Sequence, residues 1–160
     1  MRKFELTESA KLNKVFNGME NDIKRQHIYQ PPQRQTPQSA GYDFYSPCEY
    51  VIQPGGVAII NTGYKAYMLP DEYILLAIRS SLGFAGLSLL NYFGVIDADY
   101  VDNETNEGEI SFRIKNDTDE VYIIKQGDRI GQGMFMKYIL VDDDMPVRLK
   151  RKGPSGSTGR

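Results

Sequence analysis

Three tracts far apart in the chain hold polar residues that a strand-forming core does not need. They are Arg79-Ser80-Ser81-Leu82-Gly83, Gly94-Val95-Ile96-Asp97-Ala98-Asp99-Tyr100, and the tail Arg151-Lys152-Gly153-Pro154-Ser155-Gly156-Ser157-Thr158-Gly159-Arg160. An arginine offers a planar fork to phosphate oxygens. Hydroxyls and loop amides add donors for the same anion. A carboxylate at the edge of an apolar run can take a proton from water, and an aromatic ring can pack on a flat ligand. Together these are the means to hydrolyse a nucleotide.

Each tract alone also has a plainer reading. Arg79 to Gly83 reads as an exposed polar turn at the end of an apolar strand. Asp97 and Asp99 flank Ala98, so on an extended strand they would share a face; an aspartate capping a hairpin turn is the alternative. The tail, with three glycines and four basic residues from Lys150 onward, can wrap phosphates or can be a loose terminus. It is not a Walker-type loop, because no Gly-Lys-Ser/Thr ending leads into a helix. The tract 97–108 has the outline of a calcium loop but fails its chemistry. Asp102 stands where the loop needs glycine, and Gly108 where it needs a bidentate glutamate.

The remaining chain must position these groups. At 160 residues and a net charge of −2, with a pI near 5.5, the length implies one domain with a real core. The charge gives no case for duplex nucleic acid as a partner. A single cysteine, Cys48, forms no internal disulfide and suits a cytoplasmic setting. No apolar run is of membrane-span length. The lone His27 reads as structural or surface. Asp142-Asp143-Asp144 reads as a solvated turn, and the shortage of Cys and His argues against zinc.

The pattern predicts a first strand over Lys3 to Leu6. The helical spacing of Leu12, Val15, Phe16 and Met19 predicts one short amphipathic helix. Residues 30–39, with three prolines, predict an extended linker. Strands are expected over Glu49–Ile52, Val57–Asn61, Tyr64–Met68, Tyr73–Arg79, Ile110–Lys115, Val121–Lys125 and Arg129–Leu140. Turns are expected at Gln53-Pro54-Gly55-Gly56, Leu69-Pro70-Asp71-Glu72 and Gly127-Asp128. Short strands with frequent turns predict an all-β antiparallel barrel or sandwich.

Two further tracts, Ala40-Gly41-Tyr42-Asp43-Phe44 and Gly127-Asp128-Arg129-Ile130-Gly131-Gln132, complete a series. In this order and spacing, the five tracts resemble the motifs of the trimeric deoxyuridine triphosphatases (dUTPases), over about residues 36–159. Any one motif is weak; the ordered set is specific. The resemblance implies a distorted antiparallel β-barrel of jelly-roll type, a homotrimer with sites between subunits, and hydrolysis of dUTP to dUMP and pyrophosphate with Mg²⁺. That reaction limits uracil incorporation into DNA and supplies dUMP for thymidylate synthesis. It also implies a domain over 1–149, with an extension at about 8–30, and a flexible arm over 150–160.

Carried over by motif, Asp97 resembles the general base that positions water for attack on the α-phosphorus. Tyr100 resembles the residue that packs on the deoxyribose and leaves no room for a 2′-hydroxyl. Asn91, with backbone from Gly94, Val95 and Ile96, resembles the uracil-reading hairpin. Arg79, Ser80, Ser81, Gly83 and Gln132 resemble the phosphate-binding set. Asp43 resembles the carboxylate that supports the metal through water, the Mg²⁺ being held mainly by substrate phosphates. Arg151, Gly156, Ser157 and Thr158 resemble the closing arm.

The chain departs from the family pattern twice. Pro154 and Ser155 stand where the family arm has glycine and an aromatic that stacks on uracil, which implies weaker binding or slower turnover. Val101 to Glu107, Val-Asp-Asn-Glu-Thr-Asn-Glu, lie between Tyr100 and Gly108, where family members pass almost directly to Gly-Glu-Ile. This acidic insert is expected to be an exposed loop beside the site. It raises an alternative reading, a regulatory protein that binds a repressor-like partner. A dCTP deaminase of the same fold is the other alternative. The compactness and unusual loops point to a bacterium or its phage.

Overall fold

The structure, a computed structural model, describes residues 1–17 and 27–146. Among the described residues there are eleven strands, and no two that are consecutive in the chain pair with one another. They are β1 (Lys3–Leu6), β2 (Tyr42–Tyr45), β3 (Tyr50–Ile52), β4 (Val57–Asn61), β5 (Tyr64–Tyr67), β6 (Glu72–Ile78), β7 (Leu87–Leu89), β8 (Gly94–Asp97), β9 (Ser111–Asn116), β10 (Tyr122–Ile124) and β11 (Arg129–Lys137). Among the described residues two α-helices join them, α1 (Glu8–Asn17) and the short α2 (Ser80–Phe84).

Every strand pair is antiparallel. The larger sheets run β2-β11-β6-β8 and β4-β9-β7, and β1-β5 and β10-β3 form two-stranded sheets. This is a distorted barrel: the ladders do not close into one continuous sheet.

Period-two burial explains why these segments are strands. In β4 (VAIIN) Ala58 and Ile60 turn inward; in β9 (SFRIKN) Phe112, Ile114 and Asn116 do. Ile60, Ile74, Ile110, Ile114 and Ile130 are fully buried, each stabilising by roughly 1.5–3 kcal/mol relative to exposure. Phe44 of β2 meets Phe112 of β9 with ring centroids 5.4 Å apart, which joins the two larger sheets. Gly131 permits this approach, because a Cβ there would sit 2.2 Å from the Phe112 ring and 2.7 Å from the Ala77 carbonyl.

The expected turns form. The Gly56 amide donates to Gln53 O, Glu72 to Leu69 O, and Asp128 to Lys125 O. The expected strand over Lys3 to Leu6 and that over Val57 to Asn61 have the predicted bounds. β11 ends at Lys137, short of Leu140. The predicted helix exists over Glu8–Asn17; Met19, also counted in its apolar face, lies outside the described residues. The proline-rich stretch has no regular element beyond one bridge, Gln33 to Asp43, which ties it down beside β2. Asp142 and Asp143 form an exposed turn.

Candidate active site

β8 is the last strand of its sheet. Its inner edge pairs with β6 in the register Tyr73↔Asp97, Ile74↔Ile96, Leu75↔Val95, Leu76↔Gly94. The backbone groups of its outer edge are not used by the sheet, and an edge of this kind presents donors and acceptors to a ligand. A cavity of about 360 Å³ lies here, lined by Asn91, Gly94, Val95, Ile96 and Tyr100 among others. That volume suits a small-molecule site.

Asn91 reaches the cavity from the tight turn joining β7 to β8, where Tyr92 N donates to Leu89 O and Phe93 N to Asn91 O. Gly94 is buried against Leu76, and a Cβ there would come within 3.1 Å of that side chain. Tyr100 is 8% exposed.

Asp97 ends β8, and Ala98–Tyr100 is a single 3₁₀ turn. The expectation that Asp97 and Asp99 share a strand face is therefore corrected, because the strand stops before Asp99. Both aspartates do line a second cavity, of about 640 Å³, with Met68, Pro70, Ala98 and Tyr138.

The phosphate-binding candidates lie elsewhere. Arg79 is in extended conformation before α2, and its carbonyl accepts from the Leu82 and Gly83 amides. Buried Leu82 anchors this helix, while Ser80, Ser81 and Gly83 face solvent. What the sequence suggests as a turn is thus a helical turn with its polar side outward.

Gln132 pairs with Ala77 on one side and Asp43 on the other. Its side chain lies over Gly41, where a Cβ would meet Oε1 at 2.2 Å. Asp43 accepts from Arg129 Nη1 at 3.1 Å. Asp43, Arg79, Ser80, Ser81 and Gln132 therefore gather around the far end of β6, and none of them lines the cavity beside β8.

Within one chain the two halves stand apart. Asp97 is opposite Tyr73, and Arg79 is six residues further along the strand, about 20 Å at roughly 3.3 Å per residue. Arg151, Gly156, Ser157 and Thr158, with Pro154 and Ser155, lie outside the described residues.

The insert expected as an exposed loop is exposed in part, at Asp102, Glu104 and Thr105, and is tied to the rest of the chain. Asp102 pairs with the nearly buried Lys65 and accepts from Tyr67 Oη at 2.9 Å. Burial works against the Lys65 ammonium, but the Asp102 contact outweighs it, and the lysine's pKa stands above its ordinary value. Glu107 accepts from the Glu8 and Ser9 amides at 2.7 and 3.1 Å, at the start of α1. Asn103 is buried. Glu104 and Thr105 are exposed, and so is Asp102 despite its ion pair. Composition misled here, because acidic side chains look solvated until their partners, distant in sequence, are known.

Sequence reasoning also missed Asn106, Asn61, Ser111 and Arg113, which line the cavity. Arg113 and Ser111 occupy the outward phase of β9, and alternation alone would have placed them outside the core.

Among the described residues no group of three or more His, Cys, Asp or Glu side chains could hold a metal ion by itself. A hard cation that keeps much of its water and binds mainly substrate phosphate oxygens asks for no such cage. Asp43, with its carboxylate partly accessible beside Arg129, fits contact through water.

The chain is an antiparallel β-barrel protein with a cavity of small-molecule size at an edge strand. The dUTPase family model matches residues 29–158. A deoxyuridine 5'-triphosphate nucleotidohydrolase of Lactococcus lactis is 42% identical over 130 residues, covering 80% of this chain and 87% of that protein. The dUTPase of Streptococcus mutans superposes with a TM-score of 0.71 at 35% identity, covering 87% of this chain and 98% of that one. A dUTPase from Staphylococcus aureus phage phi11, described with a structural Mg(II) ion, shares the fold with a TM-score of 0.66 at 19% identity, over 93% of this chain and 97% of its own. The chain belongs to the dUTPase family.

Proposed function

We infer that this protein is a dUTP diphosphatase, hydrolysing dUTP to dUMP and pyrophosphate. Besides family membership, the observation that carries this is the outer edge of β8 on the cavity, with Tyr100 beside it. A strand edge offers fixed amide and carbonyl groups to a pyrimidine's edge. Asn91 closes the same wall.

In the proposed reaction a water oxygen bonds to the α-phosphorus. The bond from that phosphorus to the α,β-bridging oxygen breaks, and pyrophosphate leaves. Asp97 accepts the proton from the water. Arg79, Ser80, Ser81, Gly83 and Gln132 bind the phosphates, and Arg151, Gly156, Ser157 and Thr158 close over the nucleotide. A divalent cation, Mg²⁺ in this reading, supplies charge neutralisation at the phosphates. Asp43 supports its water shell.

The roughly 20 Å between Asp97 and Arg79 also supports an assembly. A base acts within hydrogen-bond reach or through one water, so the Arg79 set that completes this site comes from another copy. We place the enzyme as a homotrimer, in the cytoplasm of a bacterium or a phage-infected host. The barrel over 1–149 carries the fixed part of the site and 150–160 the arm.

The alternatives carry less. A repressor-like partner at 101–107 would meet a segment whose Asp102 and Glu107 are already engaged within the chain. A dCTP deaminase is set against relatives that carry the nucleotidohydrolase name.

The test is pyrophosphate release from dUTP, dTTP, dCTP and UTP with Mg²⁺, for wild type and Asp97→Asn. Release from dUTP alone, falling about 10²- to 10⁴-fold in the variant, is expected of a lost general base. Ammonia from dCTP, or unchanged turnover in Asp97→Asn, would overturn the reading.

A further inference from the structure

The insert contributes a side chain to the sugar end of the cavity. We propose that Asn106 is a positioning residue that holds the Tyr100 phenol, and so sets how strongly this enzyme prefers a 2′-deoxyribose to a ribose. The proposal rests on the reading of the cavity as a dUTP site.

Asn106 and Tyr100 line the same cavity. Asn106 Nδ2 donates to Tyr100 Oη at 2.9 Å and to Glu109 O at 3.3 Å. The orientation of the amide is fixed from its other end. Asn106 Oδ1 accepts from the Gly108 amide at 3.2 Å and from Asn103 Nδ2 at 2.7 Å. A backbone N–H can only donate, so the atom facing it must be the oxygen, and the nitrogen must face the phenol.

Asn103 performs the matching task on the main chain. Its Nδ2 donates to Tyr100 O at 2.8 Å, and its Oδ1 accepts from the Thr105 and Asn106 amides at 3.0 and 3.1 Å. Tyr100 is therefore gripped at both its carbonyl and its hydroxyl by one segment.

That segment is itself rigidly placed. Asp102 and Glu107 adopt positive φ, 55° and 59°, and the Asp102 amide donates to Glu107 O at 3.0 Å, closing the loop. Gly108, at φ 81°, must be glycine: a Cβ would lie 2.6 Å from Tyr100 O. Lys65 on β5 and the α1 amides hold the two ends.

A ring that excludes a hydroxyl by contact does so only as well as the ring is held. Freed from Asn106, the phenol can tilt about its long 3.5 Å donation to Glu109 O, and ribose gains room. The hydroxyl is the handle through which this restraint acts, because the Tyr100 ring without it offers Asn106 no acceptor.

The experiment is kcat/KM for dUTP and for UTP, with Mg²⁺, in wild type, Asn106→Ala, Tyr100→Phe and the double variant. Asn106→Ala should lower the dUTP/UTP preference about five- to tenfold, the size of one hydrogen bond's net worth. Tyr100→Phe should lower it by a similar factor. In the Tyr100→Phe background, Asn106→Ala should add little, because the contact that Asn106 makes with the phenol is already gone. An unmoved ratio in Tyr100→Phe overturns the proposal even if Asn106→Ala does not fold. Equal effects of Asn106→Ala in both backgrounds overturn it as well, since they mark a purely structural role. Wild-type turnover of dUTP separates this outcome from failure of the functional reading, which would show as no pyrophosphate from any enzyme in the set.

Discussion

If Asp97 and Arg79 serve a common site from different chains, two dead enzymes should make a live one. Asp97→Asn keeps an intact phosphate grip, and Arg79→Ala keeps an intact base. The register Tyr73↔Asp97 puts these residues about 20 Å apart along β6, at roughly 3.3 Å per residue. In a symmetric assembly refolded from equal amounts, each position is filled independently. A given site then receives an intact Asp97 from one neighbour and an intact Arg79 from the other in about one quarter of cases. The mixture should therefore recover about a quarter of wild-type pyrophosphate release, against residues of roughly 10⁻² to 10⁻⁴ for Asp97→Asn alone. The assay is dUTP turnover of co-refolded, differently tagged chains, with exchange verified by tandem capture. Recovery no greater than the mean of the two variants would mean that one chain supplies both groups, and would refute the split-site argument.

Other consequences can be measured directly. Burial, more than its hydrogen bond from the Gly63 amide can offset, pushes the Glu109 carboxyl up, with Glu107 adding to the rise. An acid whose folded pKa is raised destabilises the fold above that pKa, and the cost fades as pH falls through it. Glu109→Gln, which keeps the acceptor for Gly63, should raise Tm at pH 7 and lose that advantage near pH 4. Glu107 is shifted the other way: burial opposes its charge, but the bonds from the Glu8 and Ser9 backbone prevail and lower its pKa. Its contribution is present above the unfolded carboxylate value, about 4.3, and is lost as pH falls through the folded one. Glu107→Ala should cost about 1 kcal/mol, as for a lost helix cap, and speed hydrogen exchange in residues 8–12 at pH 7. If a divalent cation neutralises the phosphates as proposed, chelation should stop pyrophosphate release from dUTP and added Mg²⁺ should restore it.

How far the sequence reached depended on the range of the interactions involved. Alternation in VAIIN and SFRIK is local, and it located β4 and β9 to within a residue. Turn chemistry at Pro54-Gly55 and Pro70-Asp71 is local too. The five ordered tracts pointed to candidate site residues, though not to the way a single chain divides Asp97 and Arg79 between the two ends of β6. That division follows from the pairing of β6 with β8 and β11, which no linear pattern prints. The 3₁₀ turn after Asp97 was missed because one turn of helix leaves no periodicity. The insert was misjudged for a different reason. Asp102 and Glu107 are satisfied by Lys65, Tyr67 and the backbone of α1, and those partners lie 35 or more positions away.

The double attachment of Glu107 has an evolutionary and practical corollary. The first amides of α1 find their acceptor in the insert, and Lys65 finds its counter-charge there. A shorter hairpin grafted between Tyr100 and Gly108 would leave the Glu8 and Ser9 amides without their acceptor and strand a nearly buried ammonium. Removing α1 alone would leave Glu107 reaching toward nothing. The N-terminal helix and the loop after Tyr100 thus form one cassette, and chimaeras between this enzyme and relatives with the short connection should exchange both pieces or neither.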